Sequence, residues 1–437
     1  MSAIDSIKNT LSRYLDCPSR QVVIGYSGGV DSHLLLYLVH QLRQQFSQHR
    51  YLAVHINHGL SPNALQWQEH CQEVCESMQI DFAAIEVTLD MSSGLGLEAT
   101  AREARYSALN SVTEHNGMIL LGQHIDDQLE TFLLQLKRGA GPRGLSAMAE
   151  SMVKVNKINT LRPLLSVSRQ EIEHLATAAK LAWINDESNQ DIRFDRNFLR
   201  HQVVPVLQQR WPTIAQSVHR SASLCAEQQL LLDEVAAGYL AKLTAQDNSI
   251  DIDALLTYSI QWQRQIVRYW LSQQRIPMPS EAVLNQLSLL LNTKQDGSPV
   301  VQFSGFQFRR FKNALFCIAN YVIPDPHSIY RVHNGVAELP GEMGSVQVSM
   351  PGNEEDHYFQ VVPFSTRFKP QSEQVTKSLK QWFKVWQYPV WKREQAMMLF
   401  NQQRPLGVLI DGQFIVSDDA PESLQEQVKC TAKINTP

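Results

Sequence analysis

A glycine- and serine-rich hexapeptide, SGGVDS at residues 27–32, has the composition of a phosphate-binding loop. Glycines let a backbone approach an oxyanion closely, and a helix that begins in such a loop adds unpaired N–H groups and the positive end of its dipole. The loop lacks the lysine of a Walker A motif, which disfavours a kinase or a GTPase. We predict that phosphate groups bind to Ser27, Gly28, Gly29, Val30, Asp31 and Ser32.

The aspartate of this loop is unexpected beside phosphates. Asp31 would repel their oxygens unless a cation lay between them, and Mg²⁺ prefers oxygen ligands together with phosphates. We therefore predict that Asp31 positions Mg²⁺ and takes part in catalysis. The competing interpretation is an ordinary turn between a strand and a helix, with serine as the helix cap.

A second group of chemically competent side chains occurs in HIDDQLET, residues 124–131. A stripe of apolar residues at helical spacing is predicted to be buried, and it turns the three acids toward the other helix face. Acids in a first helical turn also complement the helix dipole, which is the competing interpretation. Three acids and a histidine exceed what capping requires, so we predict an active-site cluster of His124, Asp126, Asp127 and Glu130. The predicted buried stripe is Leu129, Phe132, Leu133 and Leu136.

Basic and polar residues recur in three further segments. EATAREARY, residues 98–106, contains two arginines at i, i+3, which share a helix face and could equally form solvated ion pairs. RGAGPRGLSAM, residues 138–148, is a glycine-rich loop with two arginines. SNQDIRFDRNFLR, residues 188–200, is too polar for a core helix and is typical of a substrate-facing loop. The residues of interest are Arg102, Arg105, Arg138, Arg143, Asn189 and Arg196.

Apolar runs that alternate with helical patterns must position these motifs. We predict strands in QVVIGY, YLAVHI, DFAAIEV and MILLG, with helices near residues 33–46 and 126–137. Alternation of this kind indicates βαβ units and a buried parallel sheet. Ligands of such sheets bind at the carboxyl ends of the strands, where the motifs lie.

The second half of the chain has a different character. Helices are predicted at 217–243, 261–273 and 280–291, followed by a β-rich stretch with turns at Ser304–Gly305 and Lys312–Asn313. Asp411–Gly412 between apolar runs is a strong hairpin signal. We predict an α/β nucleotide-binding domain at 1–210, a mostly helical domain with short strands at 211–322, and a small α+β domain at 335–437.

Composition limits the class of protein. The 437 residues include 39 basic and 43 acidic ones, a net charge of −4 that does not exclude a local nucleic-acid-binding surface. We find no long uncharged apolar run and no signal-peptide pattern, so we expect a cytoplasmic protein that does not enter the membrane. Six scattered cysteines do not form a disulfide framework.

These motifs together resemble a known family. SGGVDS matches the SGGxDS signature of the PP-loop ATP pyrophosphatases, which the chain resembles over about residues 20–200. Within that superfamily, VHINHGL and the patterns ExxARxxRY, RGxGxxGLxxM and WxxDxSNxDxxFxRNxxR resemble the tRNA(Ile)-lysidine synthetases. The sequence departs from that family at PVWKREQ, residues 389–395, where Pro-Pro-Trp is expected, so the RNA contacts there stay open.

The resemblance implies a fold and a reaction. The first domain would have the PP-loop, adenine nucleotide α-hydrolase-like fold. With ATP and Mg²⁺, the enzyme would adenylylate O2 of the wobble cytidine in tRNA(Ile) that carries a CAU anticodon. Free L-lysine would then replace the oxygen at C2, AMP and pyrophosphate would be released, and codon specificity would change from AUG to AUA. Many relatives are dimers, so a homodimer is one of the oligomeric states left open.

The resemblance also implies roles for individual residues. His55 would line the adenosine pocket, and Arg105 would neutralise the charge of the departing pyrophosphate. Asp127 and Glu130 would hold lysine, while His124 or burial near a carboxylate would remove its proton. The expected substrate contacts are Arg102, Asp126, Arg138, Arg143, Asn189 and Arg196. Which acid performs which step is left open.

RNA recognition would fall to the two C-terminal domains. Arg309, Arg310 and Lys312 lie close together in the sequence. A second basic group is interleaved with tryptophans, a pattern suited to phosphate contact and base stacking. A charged helix face over buried tryptophans explains the same pattern equally well. The second group is Lys377, Lys380, Lys384, Lys392 and Arg393, with Trp382, Trp386 and Trp391.

Three other functions compete with this interpretation. A tRNA thiolase of the same superfamily needs paired catalytic cysteines, whereas Cys71 and Cys75 have the spacing of helix-packing residues. A ligase or amidotransferase that makes GMP or asparagine carries a glutaminase domain or other acceptor motifs, which we do not find. A non-catalytic, nucleotide-sensing RNA-binding protein would not need an intact SGGVDS loop and an acidic cluster.

Overall fold

The computed structural model describes residues 3–59, 61–89, 96–153, 157–185, 187–293, 299–349, 356–420, 424 and 428–431. The chain divides into two compact units, Met1–Leu232 and Asp233–Pro437. The division into three domains, with boundaries near residues 210, 322 and 335, stays a prediction.

The first unit is an α/β structure, as the alternating pattern predicts. Its strands are β1 (Gln21–Gly25), β2 (Arg50–Asn57), β3 (Asp81–Glu86), β4 (Met118–Leu120), β5 (Ser151–Val153) and β6 (Asn159–Leu161). Its helices are α1 (Ala3–Leu15), α2 (Val30–Leu42), α3 (Ala64–Ser77), α4 (Leu97–Val112), α5 (Ile125–Lys137), α6 (Pro142–Leu145), α7 (Arg169–Ala178), α8 (Asp195–Phe198) and α9 (Val204–Arg210). Helix α10 (Ile214–Leu243) continues past the end of the unit. Short 3₁₀ and π-helical turns lie at Glu187–Gln190 and Leu199–Val203.

The six strands form one sheet in the order β3-β2-β1-β4-β6-β5. All neighbouring pairs are parallel except β5 with β6, which is antiparallel. The middle residues of β1 and all of β4 are apolar and buried, as expected for a parallel sheet covered by helices on both faces. The predicted parallel sheet is therefore confirmed, and the four predicted strands are observed as β1 to β4.

The strand order reverses between β1 and β4, and this switch point positions the site. The SGGVDS loop joins β1 to α2, and β4 leads into α5, so both motifs emerge at neighbouring carboxyl ends. Helix α7 lies beside α2, because its buried Ile172 and Ala176 share the core with Leu34 and Leu35. Its first residue therefore reaches the same edge of the sheet.

The described part of the second unit combines helices with several antiparallel sheets. Its helices are α11 (Ile252–Leu256), α12 (Ile260–Gln273), α13 (Glu281–Leu291), α14 (Leu379–Val385) and α15 (Val390–Arg393), with a 3₁₀ turn at Gly341–Met343. Its first strands are β7 (Ile250–Asp251), β8 (Val300–Phe303), β9 (Phe306–Phe311), β10 (Ala314–Ala319), β11 (Ile329–Arg331), β12 (Val336–Glu338) and β13 (Ser345–Val348). The remaining strands are β14 (His357–Gln360), β15 (Arg367–Phe368), β16 (Lys377–Ser378), β17 (Met397–Asn401), β18 (Arg404–Ile410), β19 (Gln413–Val416) and β20 (Val428–Thr431).

Turn chemistry determines the hairpins of the second unit. Strands β8, β9 and β10 form an antiparallel meander, with β7 on the far side of β10. Its first turn places Ser304 and Gly305 at φ 44° and 81°, and Asp411 and Gly412 between β18 and β19 have φ 52° and 70°. Both turns have positive φ at the two central residues, which is the geometry of type I′ hairpins. These predicted hairpin turns are confirmed.

Two of the three tryptophans among the predicted RNA contacts are buried in the core of the second unit. Trp382 is fully buried and donates to the Phe368 carbonyl oxygen at 2.7 Å, while Trp391 is buried against the ring of Phe316 at 5.1 Å between centroids. Neither indole is accessible to a nucleotide base. The interpretation of a charged face over buried tryptophans therefore holds for these two residues, whereas Trp386 is only half-buried.

Two further expectations concern membrane-spanning helices and the cysteines of α3. Within the described ranges, no helix has the length and apolar composition that a bilayer crossing needs. Cys71 and Cys75 are both buried in the core beneath α3, as their spacing predicts, and burial raises the pKa of each thiol to about 12.

Gly122, two residues beyond β4, offers a test of this packing. A Cβ there would lie 3.0 Å from the carbonyl carbon of Asp31 and from the nitrogen of Ser32, both backbone atoms. We expect Gly122→Ala to lower the free energy of unfolding of the first unit by about 1–3 kcal/mol and to weaken ATP binding. Thermal unfolding and equilibrium ATP binding measure both effects. Ser107→Ala, an exposed helical change in the same unit, should alter stability by less than about 0.5 kcal/mol; equal behaviour of the two variants would contradict the prediction.

Candidate active site

The SGGVDS loop is held in shape by its own hydroxyl groups. The Ser32 hydroxyl donates to the Gly29 carbonyl oxygen at 3.0 Å and accepts from the Ser27 N–H at 3.2 Å. Gly28 has φ 83°, and a Cβ there would lie 2.6 Å from Ile184 Cδ1, so the position requires glycine. The loop therefore presents a fixed backbone at the start of α2, as phosphate binding requires.

His124 lies at the start of α5, surrounded by three carboxylates. Its Nε2 is 3.5 Å from Asp127 Oδ2 and 3.7 Å from Asp31 Oδ1, and its Nδ1 is 3.5 Å from Asp126 Oδ2. Burial alone would lower the pKa of His124, but Asp127, Asp126 and Asp31 outweigh it and raise that pKa to about 9. The imidazolium therefore predominates at neutral pH, which argues against the predicted role of His124 as a base.

Two arginines of the polar segment 188–200 neutralise the acids of α5. Arg196 Nε donates to Glu130 Oε2 at 2.6 Å, and Arg200 Nε donates to Glu130 Oε1 at 2.7 Å. Both guanidinium groups also donate to Asp127 Oδ1, at 3.2 and 3.3 Å. Burial would raise the pKa of Asp127, but His124, Arg196 and Arg200 outweigh it and hold that pKa below its usual value.

The predicted apolar face of α5 is only partly correct. Leu129 is fully buried, but Leu136 is 55% exposed, whereas Glu130 is only 1% exposed. The reason is that the segment carrying Arg196 and Arg200 covers the acidic face. Ion pairing makes this burial tolerable, because a buried carboxylate without a partner is strongly disfavoured.

Asp126 is also fully engaged. Its Oδ2 accepts from the backbone N–H of Arg169 at 2.9 Å, and its Oδ1 accepts from Gln208 Nε2 at 3.0 Å. Burial opposes ionisation, but His124 and the Arg169 N–H outweigh it and keep the pKa of Asp126 below its usual value.

Asp31 differs from the other three acids. Its Oδ2 accepts from Arg169 Nη1 at 2.7 Å, but its Oδ1 is buried and has no hydrogen-bond partner among the described residues. Burial raises the pKa of Asp31, although His124 and Arg169 oppose that shift. A buried carboxylate oxygen without a donor is the arrangement expected of a cation ligand. In the part of the chain that the structure describes, no group of three or more His, Cys, Asp or Glu side chains could hold a metal by itself.

A second part of the site lies at the end of β2. His55 is buried, with Nδ1 3.1 Å from the Tyr26 carbonyl oxygen, at the strand beside the phosphate loop. Burial and then the positive charge of Arg105 lower the pKa of His58 to about 4, and Arg105 also contributes to the lowered pKa of His55. The predicted adenosine residue and the predicted phosphate-neutralising arginine are therefore close to each other, on the β2 side of the loop.

Arg102 belongs to a third network, built around a buried arginine. Its guanidinium carbon lies 5.4 Å from the ring centroid of Tyr106. The Tyr106 hydroxyl accepts from Arg162 Nη2 at 3.2 Å, and Arg162 also donates to Gln123 and to the Ala149 carbonyl oxygen. The network connects α4, the residue before His124 and the end of the glycine-rich loop.

The glycine-rich loop after α5 is fixed at its far end. Gln128 exchanges two hydrogen bonds of 2.9 Å with the backbone of Met148. Arg138 is exposed and Arg143 is half-buried. The side chain of Asn189 lies outside the described residues.

Sequence reasoning missed several residues of this site. Arg169 and Gln208 carry no motif of their own, since their roles depend on the packing of α7 and α9 beside α5. Arg200 ends the polar segment 188–200 that the sequence analysis singled out, but it was not named with Arg196, although the i, i+4 spacing places both on one helix face. Arg162 directly follows the buried strand β6. An arginine is rarely buried without partners, so its position there indicates a network of hydrogen bonds.

Comparison with known proteins gives a consistent result. A family model described as a PP-loop domain matches residues 3–207, and one described as a TilS substrate binding domain matches residues 250–316. The tRNA(Ile)-lysidine synthase of Vibrio vulnificus strain CMCP6 is 39% identical over 415 residues, which cover 91% of this chain and 94% of that protein. The enzyme of the same name from Yersinia pseudotuberculosis serotype O:1b is 46% identical over 302 residues, 69% of this chain and 66% of that protein.

Solved structures show a weaker likeness. The U34-tRNA thiolase NcsA from Methanococcus maripaludis is 16% identical, with a TM-score of 0.45 over 52% of this chain and 78% of that chain. The buried thiols of Cys71 and Cys75, with pKa values of about 12, do not provide the thiolates that sulfur transfer needs.

The buried ion-pair cluster predicts a large effect on stability. Asp127→Asn removes one negative charge that Arg196 and Arg200 share, while their ion pairs with Glu130 stay. We expect the free energy of unfolding of the first unit to fall by about 3 kcal/mol. The matched control is Lys137→Gln, which breaks an exposed ion pair with Asp195 and should cost less than about 1 kcal/mol. Denaturant unfolding measures both, and a loss of similar size in the two variants would contradict the interpretation.

Proposed function

The chain belongs to the tRNA(Ile)-lysidine synthase family, and we propose that it ligates free L-lysine to C2 of the wobble cytidine in tRNA(Ile) with a CAU anticodon. ATP is split to AMP and pyrophosphate, and the modified anticodon reads AUA in place of AUG. The observation that carries the proposal is the SGGVDS loop beside a buried cluster of acids, in a chain similar to these enzymes along nearly its whole length.

The first step makes the cytidine oxygen a leaving group. O2 of the base attacks the α-phosphate of ATP, a new O–P bond forms, and pyrophosphate leaves. The backbone N–H groups at the start of α2 bind phosphate oxygens, and Arg105 beside His55 and His58 offsets the charge on pyrophosphate. The base must leave the anticodon stack to reach this edge of the sheet, at a cost of a few kcal/mol in comparable enzymes.

The chain's residues fit a magnesium ion at Asp31. Mg²⁺ is usually held by one or two carboxylates together with substrate phosphates, and Asp31 Oδ1 is the carboxylate oxygen of the cluster that no donor occupies in the described residues. When bound, the ion neutralises phosphate charge. Asp126, Asp127 and Glu130 have both oxygens engaged by nitrogen donors, so they are poorer ligands.

The second step transfers lysine. Its ε-amine attacks C2, the C–N bond forms as the C2–O bond to AMP breaks, and the amine loses its proton. Recognition has to act on the other end of lysine, an α-ammonium and an α-carboxylate. Arg196 and Arg200, which the buried Glu130 holds in place, offer two positive groups for the α-carboxylate of lysine. Because His124 is already protonated at neutral pH, we assign it to charge balance among the acids and not to removal of the lysine proton.

The second unit supplies the RNA-binding surface in this proposal. Several predicted contacts already have protein partners, since Arg310 donates to the Thr293 carbonyl oxygen at 2.7 Å and Lys377 lies over the ring of Trp382. The exposed Lys380 and Lys384 on α14 are the better candidates for phosphate contact. We place the reaction in the cytoplasm, where ATP, lysine and tRNA occur together, and a homodimer is the oligomeric state to test.

The decisive experiment uses purified protein, ATP, Mg²⁺, radiolabelled lysine and tRNA(Ile) with a CAU anticodon. We expect lysine in the RNA in a form that resists mild base, because a C–N bond survives conditions that hydrolyse an aminoacyl ester. Replacing the wobble cytidine should abolish incorporation. Pyrophosphate release that depends on tRNA, without incorporation of lysine, would keep the adenylylating domain and refute lysine as the nucleophile.

The two steps can be separated with Glu130→Gln. The variant keeps the size of the side chain but removes the charge that offsets Arg196 and Arg200. We expect tRNA-dependent pyrophosphate release to persist, while lysine transfer falls by at least about tenfold through a higher KM for lysine. Retained adenylylation shows that the variant is folded. Glu76→Gln, an exposed change on α3, is the control, and unchanged lysine transfer in Glu130→Gln would refute the assignment.

A further inference from the structure

One residue outside every motif contacts two acids of the site. The backbone N–H of Arg169 donates to Asp126 Oδ2 at 2.9 Å, and its Nη1 donates to Asp31 Oδ2 at 2.7 Å. Asp31 belongs to the phosphate loop and Asp126 to the first turn of α5. Arg169 therefore connects the two catalytic segments, although it follows Asp31 by 138 positions.

The start of α7 fixes where Arg169 lies. Ser168 caps the helix in a capping box, in which Ser168 N donates to Glu171 Oε2 at 2.9 Å and Glu171 N donates to Ser168 Oγ at 3.2 Å. The preceding Val167 accepts from the Ile125 N–H at 3.0 Å, which ties this segment to the start of α5. The position of Arg169 is therefore set by packing and capping, before any ligand binds.

The guanidinium group is held on its solvent side as well. Arg169 Nε donates to Glu173 Oε1 at 2.7 Å, one helical turn further along α7. With Nε directed to Glu173, Arg169 offers Nη1 alone to Asp31, and it contacts one carboxylate oxygen of that residue. The contact fixes the rotation of the carboxylate and leaves Oδ1 without a donor among the described residues.

We propose that Arg169 is a positioning residue, which holds Asp31 by Oδ2 so that Oδ1 is presented to the metal ion. The inference rests on the proposed assignment of Mg²⁺ to Asp31. A carboxylate that ligates a metal through one oxygen is commonly oriented by a hydrogen bond to the other. Arg169 adds positive charge beside a cation, so its contribution is orientation and not attraction.

Two other roles would leave a different signature. If Arg169 bound a phosphate group directly, it would strengthen the binding of ATP with or without the metal. If Arg169 were merely structural, its substitution would weaken ATP binding equally with and without Mg²⁺ and would also lower the stability of the protein. A positioning residue changes only the advantage that Mg²⁺ gives to ATP binding. The quantity to measure is therefore the ratio of the Kd for ATP in EDTA to the Kd for ATP in saturating Mg²⁺, without tRNA and without turnover.

For Arg169→Gln in the full-length protein, we expect this ratio to fall about tenfold, with the Kd in EDTA little changed. Arg50→Gln is the matched control, since it removes an arginine from an exposed ion pair with Glu114 at the other end of the sheet, and its ratio should equal that of the wild type. A preserved ratio in Arg169→Gln, whether both Kd values rise or neither does, would overturn the inference.

Asp31→Asn separates failure of this inference from failure of the metal assignment. If the ratio is lost in Asp31→Asn and unchanged in Arg169→Gln, only the role of Arg169 is wrong. If Asp31→Asn keeps the wild-type ratio, the metal assignment fails, and the inference fails with it. When both single variants lower the ratio, adding Arg169→Gln to Asp31→Asn should have no further effect, because both act through one carboxylate.

Discussion

Neutralisation of buried carboxylates is the constraint on which the rest of the first unit depends. Four acids meet where β1 and β4 end, and each is at least partly buried. Carboxylates in such a setting are stable only with positive or hydrogen-bonding partners, which here come from distant parts of the chain. Arg196 and Arg200 close over α5, and α7 brings Arg169 to the phosphate loop. The segments that cover the site are therefore the same ones that neutralise its carboxylates.

The four carboxylates differ in how their oxygens are hydrogen-bonded. Asp127 and Glu130 accept hydrogen bonds from two guanidinium groups, whereas Asp31 Oδ1 has no hydrogen-bond donor in the described residues and lies 3.7 Å from His124 Nε2. The three neighbouring aspartates raise the pKa of His124 to about 9, against the effect of burial. The hydrogen-bond partners thus divide the four carboxylates into one that keeps an oxygen without a donor in the described residues and three whose oxygens are all engaged.

The second unit is stabilised mainly by apolar packing. Its hydrophobic clusters bury Trp270 and Trp382, and Trp391 packs on the strands of the meander. Basic side chains around these clusters form intramolecular contacts, such as the hydrogen bonds from Arg310 to carbonyl oxygens at the end of α13. The basic residues of this pattern therefore fall into two groups, those that form contacts within the unit and those, such as Lys380 and Lys384, that are exposed on α14.

The sequence by itself determined the parallel sheet, the phosphate loop and the hairpin turns, because period-2 and period-3.6 patterns and glycine conformations are local properties. It also identified the acids of α5, since their spacing is local too. It could not decide that Glu130 is buried and Leu136 exposed, nor that Arg169 and Gln208 reach Asp31 and Asp126. Those outcomes depend on which helix packs beside α2 and α5, and on charge balance between residues far apart in the chain. Tertiary structure alone brings such residues within hydrogen-bonding distance.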